Sequence, residues 1–117
     1  MAETKSEILQ GTLDLMVLQT LAAMGPMHGY GIARRIEQVS ENALAVNQGT
    51  IYLCLIRLVQ RKWIKAVWGT SENNRKAKFY SITKAGQKQL KIEAEGWERV
   101  SGVIGRLLQL TPGGKTS

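Results

Sequence analysis

Cysteine, histidine and phenylalanine each occur once in this chain of 117 residues, and proline occurs twice. A lone Cys54 excludes an internal disulfide and points to a reducing compartment. Cys54 and His28 do not form a cluster at ligand spacing, so no metal site is expected. Cys54 is then a small apolar packing residue and His28 a structural residue near a helix start. No apolar run approaches the roughly 20 residues that span a bilayer. Met1 to Glu7 lacks the basic start and apolar stretch of a signal peptide, so a cytoplasmic chain without membrane contact is expected. A nucleophile with its base and orienting group, or paired carboxylates at credible spacing, is also missing, which argues against an enzyme. Gly25, Gly29 and Gly31 follow no strand and make no phosphate-binding loop, and no cofactor is expected. Acid is scarce too. Nine Asp and Glu face sixteen Lys and Arg, leaving +7 and favouring an anionic partner.

What is present is one domain's worth of chain, 44% apolar, enough for one modest core. From Glu7 to Met24 the residues Ile8, Leu9, Leu13, Met16, Val17, Leu21 and Met24 recur at spacings of three and four, which predicts a helix ended by Gly25-Pro26. A second, shorter helix starts near His28 or Gly29 and leaves at Ser40 to Asn42. Asn47 is the expected N-cap of a third, whose buried stripe is Ile51, Leu55 and Leu58. The period then changes: Ile64, Ala66 and Trp68 share one face of a strand, and Lys78 to Ile82 read as its partner across a polar tip. Thr83 caps a last helix running to about Leu110, with Leu90, Trp97 and Ile104 seven apart and Val100 and Leu107 between them. Glu93 breaks that interleaved row at its start.

The fold class expected is therefore mainly α with a small β-hairpin: a winged helix-turn-helix over residues 1–83, a C-terminal dimerisation helix over 84–110 and a disordered tail over 111–117. Charge agrees with this layout. Ten basic residues and only Glu72 as acid lie between Arg57 and Lys91, while the remainder of the chain is net negative. A surface built only for solubility mixes the signs; this one suits phosphates and predicts salt-dependent binding.

Three blocks resemble the PadR family of bacterial transcriptional regulators. They are Gly25-Pro26-Met27-His28-Gly29-Tyr30-Gly31-Ile32, Gln48-Gly49-Thr50-Ile51-Tyr52 with Leu55, Arg57 and Leu58, and the wing from Trp68 to Gly86. In order and spacing they cover roughly Leu9 to Leu110 and are similar to the short-tailed branch with one C-terminal helix. The departures are Leu53 where the family usually has proline, Ile56 for a polar residue, Val59 for glutamate and Lys62 for glycine; Leu53, Cys54, Ile56 and Val59 make the third helix unusually apolar.

The resemblance implies a homodimeric regulator, a repressor by expectation, with two third helices in successive major grooves of a pseudo-palindromic operator. Asn47, Gln48, Thr50 and Tyr52 open the reading helix, where side chains reach phosphates or base edges; capping or packing is the alternative for each. Tyr30 resembles a phosphate-contacting position, with packing against the third helix as its alternative, and Arg34 and Arg57 add basic contacts. Asn74, Arg75, Lys76 and Lys78 form the wing grip on phosphates or minor groove. Leu90, Trp97, Val100, Ile104 and Leu107 are the expected dimer interface. Trp97 lies in Glu95-Gly96-Trp97-Glu98-Arg99-Val100, similar to the tryptophan with which multidrug-responsive members sandwich flat aromatic ligands, so a flat aromatic effector is the expected small-molecule partner beside double-stranded DNA. The apolar third helix leaves one alternative of another class: a winged-helix protein–protein adaptor that binds no operator.

Overall fold

The computed structural model describes the backbone of residues 2–116 and the side chains of residues 11–114. Its order is α1 Ala2–Met24, β1 Met27–His28, α2 Gly29–Val39, α3 Gln48–Gln60, β2 Ile64–Thr70, β3 Lys76–Ile82, α4 Lys84–Leu108, β4 Leu110–Thr111 and β5 Lys115–Thr116. The three helices, hairpin and long helix expected from the sequence are all there. Each boundary has a local cause. Gly25 sits at a φ of 83°, left-handed geometry that glycine adopts freely, and its N–H closes α1 by donating to the Leu21 carbonyl at 3.0 Å. Asn47 caps α3, its Oδ1 accepting from the N–H groups of Gly49 at 2.7 Å and Thr50 at 3.3 Å. Thr83 caps α4 by accepting from the Gly86 N–H at 3.0 Å.

One core joins the first three helices to the sheet. Leu13, Val17, Leu18 and Leu21 of α1 meet Ile32, Ala33 and Ile36 of α2, Ile51, Cys54, Leu55 and Leu58 of α3, Ile64 of β2 and Tyr80 of β3. The stripe expected on α1 is shifted: Leu18 is fully buried and Met24 is exposed, because α1 is covered by α2, α3, α4 and the sheet together rather than along one narrow line. Ile8 and Leu9 lie outside the residues whose side chains are described.

The sheet differs from the expected two-stranded ribbon. β2 and β3 pair antiparallel from Ile64↔Ile82 to Thr70↔Lys76, and β1 adds a third strand through Met27↔Tyr80 and His28↔Phe79. Two residues are too short to show a period of two, so that strand left no mark on the sequence. The expected tail also folds back, with Leu110–Thr111 pairing antiparallel with Lys115–Thr116 around Gly113 and Gly114, both left-handed.

At the head, α1 and α3 are tied by polar groups. The Arg57 guanidinium donates to the Asp14 carboxylate, and the Cys54 Sγ donates to the same Oδ1 at 3.1 Å. Burial first, and the Asp14 carboxylate second, push the Cys54 thiol up from 9.0 to about 12. At the other end, the Thr83 hydroxyl and N–H donate to the carbonyls of Lys62 and Trp63, seating α4 on the turn between α3 and β2. Gly86 makes that seat: a Cβ there would fall inside the Trp63 carbonyl oxygen. Beyond it α4 lies against α1, with Leu90 on the core, before its exposed apolar run from Trp97 to Leu108. The radius of gyration is 16.8 Å, against about 13 Å for a compact chain of this length, and the extents are 61 × 29 × 22 Å.

Candidate nucleic-acid interface

The N-termini of α2 and α3 converge beside the wing. His28 closes α2 with its Nδ1, which accepts from the Gly31 N–H at 3.0 Å. The same ring lies edge-on to Phe79 at 5.7 Å and roughly parallel to Tyr30 at 6.4 Å, so the cap also fixes where Tyr30 stands. The turn into α3 is organised by Glu37, whose carboxylate accepts from the Val46 N–H at 3.3 Å and from Arg34 at 3.4 Å. Glu41 and Asn42 take left-handed backbone there, at φ values of 54° and 66°.

The wing tip is a tight turn. The Ser71 N–H donates to the Arg75 carbonyl at 2.8 Å, the Asn74 N–H to the Ser71 carbonyl at 2.9 Å, and Asn74 is left-handed at a φ of 59°. Behind the tip, Trp68 and Lys78 are cross-strand partners, with the Lys78 ammonium 5.6 Å above the indole.

Between these elements lies a groove of about 610 Å³. Tyr30, Gln48 and Tyr52 form its helical wall, and Trp68, Arg75, Lys76 and Lys78 its wing wall. Three cations and no carboxylate line it. Tyr30 and Tyr52 are more than half exposed, so neither ring is spent on the core. Such a surface offers hydroxyl, amide and cationic donors over two facing walls, which is what a phosphate backbone accepts from.

The sequence-predicted residues do not all meet there. Tyr30, Gln48, Tyr52, Arg75, Lys76 and Lys78 line the groove, and Asn74 stands at the exposed tip between two of its lining residues. Asn47 and Thr50 are exposed at the start of α3, although the Asn47 oxygen is engaged in capping. Arg34 is exposed on α2 beside Glu37. Arg57 is turned away from the groove: its guanidinium packs inward on Asp14 and is only about one quarter exposed. Trp68 was missed as a site residue. Its position in the Ile64, Ala66, Trp68 alternation suggests the inner face, but β2 projects past the core and leaves Trp68 61% exposed.

The α4 residues divide as well. Leu90 packs against the chain's own core. Trp97, Val100, Ile104 and Leu107 are half or more exposed, and Val103 and Leu108 extend the same apolar surface. Among the described residues no group of three His, Cys, Asp or Glu side chains is arranged to hold a metal ion, and no helix is long and apolar enough to cross a membrane.

Comparison with known proteins joins this geometry to a family. The transcriptional regulator PadR-like family model matches residues 17–92. The structure of a transcriptional regulator from Clostridium thermocellum superposes with a TM-score of 0.76 at 28% identity, over 85% of this chain and 95% of that one. A PadR-like transcriptional regulator from Bacillus cereus gives 0.77 at 28% identity, over 90% of this chain and 99% of the other. Among curated proteins, Uncharacterized protein X of Lysinibacillus sphaericus is 28% identical over 100 residues, which are 86% of this chain and 91% of its own.

Proposed function

Because the chain belongs to the PadR-like family of transcriptional regulators, and is therefore a DNA-binding regulator, we propose that it is a cytoplasmic homodimeric repressor of a pseudo-palindromic operator. The observation that carries this reading is the groove between α3 and the wing, where exposed Tyr30, Gln48 and Tyr52 face Arg75, Lys76 and Lys78 with no acid in the lining. The α3 N-terminus enters the major groove, and the wing holds the flanking backbone. The exposed apolar run of α4 from Trp97 to Leu108 supports pairing of two copies, since a monomer gains nothing from presenting it to water. Trp97 offers an open indole face within that run, which supports a flat aromatic effector held between the two copies. The family is one of regulators, and we assign the chain no catalytic step.

The test is binding of the purified chain to the DNA upstream of its own gene, at about 50 and 200 mM salt, with random duplex as competitor. Preference for the upstream fragment, with affinity falling about a thousandfold for some six phosphate contacts, is the expected result. Equal binding of both duplexes, or none, removes the operator reading and favours the adaptor that the apolar third helix suggests.

A further inference from the structure

Along α3 the exposed positions after the first turn are Tyr52, Leu53, Ile56 and Gln60. With Gly49 they are spaced three and four apart, so they form one stripe on the side away from the core. The stripe carries no charge, because the helix's basic residue, Arg57, faces Asp14. Leu53 is 63% exposed and Ile56 37%. Both stand outside the core cluster that takes Ile51, Cys54, Leu55 and Leu58 from the same helix.

The surroundings say what covers them. Tyr52, on the same stripe, lines the groove rimmed by Arg75, Lys76 and Lys78. A fitting partner brings anions to that rim and apolar groups to the stripe beside it. Duplex DNA does both, since phosphates flank the major groove and the thymine C5-methyl is the apolar group on its floor.

We propose, resting on the reading of this chain as a DNA-binding regulator, that Leu53 and Ile56 read thymine methyl groups, so that each operator half-site carries thymines at the base pairs beneath them. Against guanine, cytosine or adenine edges the two side chains would leave polar base atoms without partners, at a cost to binding. Three residues of helix advance about 4.5 Å and one base pair about 3.4 Å, which places the two thymines on adjacent or next-but-one base pairs, on either strand. Discrimination then comes from methyl contact at the stripe, and attraction from the cations at the rim.

Duplexes selected by the full chain from a random pool define the half-site. Each candidate thymine is then replaced by uracil, which removes the C5-methyl alone. The expected loss is about fourfold in affinity per methyl. A variant carrying Leu53→Ala and Ile56→Ala is expected to bind thymine and uracil duplexes alike, with its salt dependence unchanged; both positions lie outside the core, so the fold survives. Equal binding of the two duplexes by the unsubstituted chain, with selected DNA still preferred over random, overturns the methyl reading and leaves the DNA-binding function standing. A selection that enriches no duplex overturns both, and the stripe is then a face for another protein.

Discussion

Arg57 and Arg75 belong to the same basic stretch, yet they act on different quantities. Arg57 satisfies Asp14 between α1 and α3, while Arg75 lines the open groove. Arg57→Ala leaves a partly buried carboxylate without its cation and is expected to lower stability by about 2 kcal/mol, measured by denaturant unfolding. Arg75→Ala is expected to leave unfolding unchanged and to reduce the salt slope of DNA binding by about one, measured by titration at several salt concentrations. The same slope loss in Arg57→Ala, with no loss of stability, would reverse the assignment. Cys54 makes a pH prediction. Its thiol keeps its proton to about 12 in the fold and loses it near 9 when unfolded. The stability it contributes is whole below pH 9 and drains away as pH rises toward 12. Thermal unfolding is expected to show a steeper fall of Tm over that window in the natural chain than in Cys54→Ala. The identity of Arg57 was legible from the sequence and its direction was not, since a partner 43 residues away leaves no local pattern.

At the scale of elements, the turn between α3 and β2 joins three of them. After the Arg61 cap the chain turns through Lys62 at a φ of 63°, with the Lys62 N–H donating to the Val59 carbonyl and the Trp63 N–H to the Leu58 carbonyl. This is the left-handed helix ending that glycine favours, and here a lysine adopts it. Lys62→Gly is expected to raise stability by about 1 kcal/mol, read as an increase in Tm; no increase would mean that the lysine side chain compensates for its backbone. The helices were legible because their apolar spacing and caps are local: Asn47, Thr83 and Gly25 each close the end expected of them. β1 was not, because its two residues are strand only through Tyr80 and Phe79, more than 50 positions away. The same holds for the candidate site. Its basic wing was visible as a charge run, whereas the exposure of Trp68 depends on how far β2 outruns the core.

For the whole molecule, the apolar run on α4 sets an expectation about mass. The chain should scatter light at micromolar concentration as twice 13.0 kDa. Ile104→Lys, which puts a charge into the exposed run, should return it to a monomer and weaken operator binding while the head stays folded; a monomeric natural chain would end the dimer reading. α4 also has a mechanical meaning. It is seated on the head at Thr83 and Gly86 and then extends over 25 residues, about 37 Å. Such a rod is a lever with its fulcrum at the Trp63 carbonyl. A swing of about 10° there carries the far end by about 6 Å, against a spacing of about 34 Å between successive major grooves on one face of a duplex. Because Gly86 leaves no room between rod and fulcrum, a change in the angle of α4 is felt at the turn that joins α3 to the wing, and in the dimer proposed above such a change would alter the stride of the two heads along a duplex.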